Sequence, residues 1–127
     1  MTDLLAPVSV GELIDKITIL KIKRRMIKDA GKLLNIEAEM TSLLDVCKKS
    51  HIDPEAPLAQ ELEAINVKLW KIEDDIRDLE RAKQFDAQFV ALARAVYVTN
   101  DERFAVKSKI NQFFGSALKE EKSYQAY

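Results

Sequence analysis

Residues 58–82 read LAQELEAINVKLWKIEDDIRDLERA. Apolar side chains stand at Leu58, Leu62, Ile65, Leu69, Ile72, Ile76 and Leu79, in steps of four, three, four, three, four and three. That is the repeat of a helix burying a narrow seam against another helix. The stretch holds no Gly or Pro, so nothing in it interrupts a helix about 37 Å long. A compact small core does not cover such a length. The seam therefore predicts an antiparallel hairpin with an earlier helix, or a seam between copies of the chain.

Working back from this stretch, Ser9-Val10-Gly11-Glu12 fits the S-x-x-E capping box, with Pro7 just upstream. Val10, Leu13, Ile17, Leu20 and Ile27 then form a heptad-like stripe, with Arg24 at the missing seam position. Ile14, Ile19, Ile22 and Met26 widen the apolar surface beyond it. Gly31 reads as the stop of this first helix. A second helix is predicted over 33–49, with Ile36, Met40, Leu43 and Cys47 on one face. Ser50–Pro54 breaks the pattern, and either Asp53-Pro54 or Pro57 can start the third helix.

Working forward, Phe85, Phe89, Leu92 and Val96 predict a fourth helix. Thr99-Asn100-Asp101-Glu102 is a second capping-box match, which predicts a break and a fifth helix carrying Phe104, Val106, Ile110, Phe113 and Phe114, ended by Gly115. The polar tail 116–127 reads as a short helix or an ordered strap. The aromatic residues concentrate from Phe85 onward. The expectation is an all-α single domain over 1–127. A long antiparallel coiled-coil-like helical hairpin or three-helix body occupies 8–82, and a small C-terminal helical subdomain 85–127.

The 127 residues are 47% hydrophobic and 32% charged, which is globular composition. Gly and Pro number 3 each, which excludes collagen-like and turn-rich all-β architectures. Cys47 is the one cysteine, so neither a disulfide framework nor a multi-cysteine zinc site is expected. No segment is apolar enough to span a membrane, and MTDLLAPVS carries no secretory pattern. A cytoplasmic protein is the expectation. The net charge of −1 argues against nucleic acid. Residues 51–90 carry five basic and ten acidic side chains, and both flanks are mildly basic. The middle segment should therefore pair with the flanks, within one chain or between copies.

Two groups could bind a ligand. Lys21, Arg24, Arg25 and Lys28 share one helix face and could hold phosphate or carboxylate, or pair with the acidic segment near Glu73. Arg94, Tyr97, Asn100, Asp101, Arg103 and Lys107 surround the predicted break, where a helix N-terminus would offer free amides to an anion. Lys119–Tyr124 could fold back beside them to make a small polar pocket. The acids Glu73–Glu80 lack the paired E-x-x-E and E-x-x-D pattern of helical nucleotide pyrophosphohydrolases, and Arg77 and Arg81 lie in reach to pair with them. No metal or cofactor is expected. Cys47 and His51 stand four residues apart, but a buried thiol and an exposed loop histidine are the simpler reading.

ELIDKI at 12–17 followed by KRR at 23–25 resembles the texture of helical chorismate mutases, which hold a dicarboxylate with Arg and Lys from several helices. A broader resemblance rests on VSVGELIDKITILKIK, LWKIEDDIRDLE, LARAVYVTNDER and INQFFGSALKEEKSY, running from Val8 to Tyr124. Together they are similar to an uncharacterised family of small bacterial and phage proteins, a domain of unknown function. The resemblance implies no catalytic residues. It draws attention to Glu12, Asp15, Lys16, Arg77, Arg94, Asn100 and Arg103, which lie in the matching segments. The expected function is a non-enzymatic helical binding or scaffold module acting as a homodimer or higher oligomer. The alternative is a small helical enzyme or receptor for an anionic metabolite.

Overall fold

The computed structural model describes residues 2–127, which form four helices and no strand: α1 (Val10–Met26), α2 (Ala30–Lys49), α3 (Pro57–Arg81) and α4 (Ala87–Phe113). No helix among them is long and apolar enough to cross a membrane. The helix α1 is central and packs against all three others. Its extra isoleucines explain this position, because a helix that is apolar nearly all round must be covered nearly all round. Ile14 and Ile17 are completely buried, with Leu13, Leu20 and Ile22 close behind. Ile36, Met40 and Cys47 of α2, Leu62 of α3 and Val106 and Ile110 of α4 complete the core.

The third helix starts at Pro57, the later of its two candidate starts. Its main partner is α4, which follows it, and not an earlier helix. The pairing is antiparallel. Glu61 and Lys109 line one end of a shared surface groove, and further along α3 Lys68 meets Glu102 at 3.5 Å. The earlier helix α1 lies across this pair. Its first turns touch α4 through Gly11–Asn111, and its later turns touch α3 through Lys21–Glu63.

Two predicted boundaries are corrected. The first helix ends at Met26, where Ile27 turns extended, and Gly31 lies inside the first turn of α2. Asp29 is the real boundary signal, since its carboxylate accepts from the Lys32 amide. The second correction concerns the capping box at Thr99–Glu102, which does not break the chain. One helix of 27 residues runs through it, so the fourth and fifth predicted helices are one. The physical reason is a second heptad pattern. Phe89, Leu92, Val96, Thr99, Arg103, Val106 and Ile110 step by three and four without a miss and turn into the body. Thr99 is buried and its hydroxyl has no hydrogen-bond partner, while Glu102 reaches Lys68, so neither residue caps anything. Seam burial outweighs a cap worth about 1 kcal/mol.

The start of α1 is fully satisfied. Ser9 accepts from the Glu12 amide at 3.1 Å, Asn111 from the Gly11 amide at 2.6 Å, and Ser116 from the Val10 amide at 3.1 Å. Gly11 is required by this close approach. A Cβ there would lie 2.7 Å from the Lys107 carbonyl and 2.9 Å from Asn111 Oδ1. Gly11→Ala should therefore lower stability by about 1–3 kcal/mol in urea unfolding, although Ala is the better helix former.

Candidate ligand-binding site

A buried carboxylate organises the surface where α1, α3 and α4 meet. Asp15 sits among Leu13, Ile14 and Ile17 on the apolar side of α1, and its side chain is 2% exposed. Arg103 on α4 grips it with a fork, Nε donating to Oδ1 at 3.0 Å and Nη2 to Oδ2. Asn66 on α3 donates to Asp15 Oδ1 at 2.8 Å and to Thr18 Oγ1 at 2.9 Å. Thr18 in turn donates to the Asp15 carbonyl at 2.8 Å. A buried charge is tolerated only when paired and hydrogen-bonded, and this one has both.

One turn further along α4, the Lys107 side chain is buried, and its ammonium lies 3.0 Å from Glu12 and 3.1 Å from Glu120, with Asp15 at 3.9 Å. Burial pulls the Lys107 pKa down, but Glu12, Asp15 and Glu120 more than offset it and hold the group above its ordinary value. The hydrogen bond to Asp15 pushes Arg103 up in the same way, against the opposing pull of burial. Both side chains stay charged.

The residues 117–127 take no regular secondary structure and lie as a strap along α4. Glu120 fastens it to Lys107. The Lys122 ammonium stands 5.1 Å from the centre of the Phe104 ring and 5.8 Å from that of Tyr124. Tyr127 stacks edge-on against Tyr97 with centroids 5.1 Å apart, and its hydroxyl donates to Asp101. Two adjoining cavities result. The smaller, about 260 Å³, is lined by Glu12, Asn100, Arg103, Lys107, Glu120 and Lys122. The larger, about 680 Å³, is walled by Tyr97, Asp101 and Phe104 on one side and by Lys122, Tyr124 and Tyr127 on the other. Asn100, Phe104 and Lys122 belong to both.

The structure brings most of the second predicted group to this place. Asn100, Arg103 and Lys107 line the small cavity, and Tyr97, Asn100 and Asp101 the large one. Arg94 lines neither; it is exposed and its Nε donates to the Tyr97 hydroxyl at 3.3 Å. The free helix N-terminus expected here does not exist, because these residues are in mid-helix. The basic stripe does not share one helix, because α1 ends at Met26 and Lys28 lies beyond it, and its other three members have carboxylate partners. Lys21 meets Glu55 and Glu63, Arg25 meets Glu63 at 3.8 Å and Arg24 meets Glu37 at 3.5 Å, while Lys28 reaches the Arg25 carbonyl at 3.5 Å. Glu73, the expected acidic partner, pairs with Arg77 at 2.5 Å instead. Cys47 is buried and burial pushes its thiol pKa up, opposite to an activated nucleophile, while His51 is exposed.

Spacing alone missed Asn66, Thr18 and the central place of Asp15. The available signal was an acid in the middle of an apolar stripe, which needs a buried partner.

The family model that matches covers residues 5–127 and is described as a family of unknown function, DUF6165. The chain belongs to this family. No curated protein and no solved structure matches it. The DUF6165 match takes in the whole Asp15 cluster, both cavities and the strap.

Glu120 is the charged fastening of the strap. Glu120→Gln should speed limited proteolysis within 117–127 several-fold and leave amide exchange in the four helices unchanged. Timed digestion and exchange, both followed by mass spectrometry, read the two effects.

Proposed function

We propose that the chain is a binding module and that its ligand is a small anionic organic molecule, carboxylated or phosphorylated, held under the C-terminal strap. The observation that carries this reading is Lys122. It has no carboxylate within ion-pair distance among the described residues, and it stands where the two cavities join. Across the small cavity, Arg103 presents its remaining N–H edge, with Nε and Nη2 already held by Asp15. A carboxylate or phosphate between these two cations gains charge-assisted hydrogen bonds in a partly dry site. The aromatic cavity takes the organic body of the ligand, with Tyr97, Phe104 and Tyr124 as apolar faces and Asn100 as a polar contact. Asp15 does not touch the ligand. It holds the guanidinium plane still, so that binding orders little that is not already ordered.

A thermal-shift screen of carboxylates and phosphate esters at fixed ionic strength tests the reading. A ligand at about 100 times its Kd adds about 2.7 kcal/mol and raises Tm by several degrees. The shift should vanish in Lys122→Ala, whose own Tm stays within about 1 °C of the parent because the side chain makes only surface contacts. A flat screen, or a hit that Lys122→Ala retains, contradicts the reading.

A further inference from the structure

The helix α4 has two heptad seams, and the outward one is left open along part of its length. The inward seam faces the body. The outward seam runs Ala87, Val90, Arg94, Tyr97, Asp101, Phe104 and Ser108, again in steps of three and four. From Asp101 onward the strap covers it, while Tyr97, met edge-on by Tyr127, stays 42% exposed. Tyr127 lies on Tyr97 and Asp101, Lys122 on Phe104, and Glu120 and Glu121 beside Ser108. From Ala87 to Arg94 nothing among the described residues does. The surrounding stretch, AQFVALARAVYV over 87–98, carries one charge in twelve residues and is apolar nearly all round. Such a helix is normally buried on all sides. Here none of the twelve residues reaches full burial, and Val90 is 54% exposed.

We propose that a second copy of this chain docks here, its own α4 running antiparallel along the outward seam. Two features select a second copy over an unrelated partner. An antiparallel two-fold pairing centred near Leu92 sets Ala87 against the partner's Tyr97 and Val90 against the partner's Arg94. Every layer then joins a small side chain to a large one, which is how facing seams interdigitate. Second, Arg94 is the one charge on the uncovered part of the seam, 87–97, and has no carboxylate partner among the described residues. In the same register the partner's Asp86 comes within about one helical turn of it, exposed and facing solvent at the head of α4. The interface forms beside the strap and does not displace it.

Sedimentation equilibrium on the full chain from about 1 to about 300 μM tests the proposal. The unaltered chain should dimerise reversibly. Val90→Arg places an arginine against the partner's Arg94 and should weaken the dimer by at least about 30-fold, with helicity unchanged, and with Tm unchanged at concentrations where both chains are monomeric, because Val90 is exposed in the single chain. Adding Arg94→Glu should restore the dimer, since the arginine at 90 then faces a glutamate. A chain that is monomeric throughout this range overturns the proposal, whether or not another protein or a vesicle surface binds it. A Val90→Arg chain that stays dimeric overturns it too, and so does a double variant that stays monomeric.

Discussion

The fold depends on how one ionised carboxylate is kept inside a small protein. Asp15 projects from the helix that forms the core, and the chain must bring it donors from elsewhere. They come from α3 through Asn66 and from α4 through Arg103, 51 and 88 residues away in sequence. Apolar packing alone would allow α1 to slide or rotate over the α3–α4 pair, because the hydrophobic effect has no direction. A forked arginine and a two-handed amide do have direction. They set where α1 crosses, and that crossing puts Gly11 against Asn111 and Glu12 against Lys107.

The candidate site is a consequence of this crossing. Once Glu12 and Lys107 meet, the ammonium has room for a second carboxylate, and Glu120 brings the strap to it. The strap then runs back along α4 and encloses the two cavities. Ser116 contributes at the same corner, accepting from the head of α1 while donating to the Leu118 carbonyl, so the end of α4 and the start of the strap are tied to the start of α1. The cations around the site are thus of two kinds. Lys107 and most of Arg103 hold the structure together, and Lys122 with the free edge of Arg103 faces the open space.

What could be read from the sequence was the part that is local or strictly periodic. The Ser9 cap, the end of α2 and the seam of α3 all depend on neighbours within a few turns, whereas for the start of α3 the sequence offers both Asp53-Pro54 and Pro57. The gathering of Asn100, Arg103 and Lys107 with the returning tail was also legible, because those residues crowd polar and aromatic groups into one short stretch. The errors came where a local signal met a stronger distant one. Thr99-x-x-Glu102 has the residues of a cap, but the seam from Phe89 to Ile110 keeps the helix going and buries Thr99 in it. Gly31 has the look of a stop, yet Ile27 had already left the helix. The Asp15 pairing was out of reach for a different reason, since no spacing rule connects positions so far apart. Only the misfit of an acid among isoleucines marked it.

The most direct test is a double-mutant cycle on Asp15 and Arg103 in urea unfolding. Asp15→Ala strands a half-buried guanidinium, and Arg103→Ala strands a buried carboxylate, so each should cost about 3–5 kcal/mol. The double variant removes both charges and should cost at least about 2 kcal/mol less than the two single losses together. Single losses below about 1 kcal/mol, or losses that simply add, would mean that the fold does not depend on this pair.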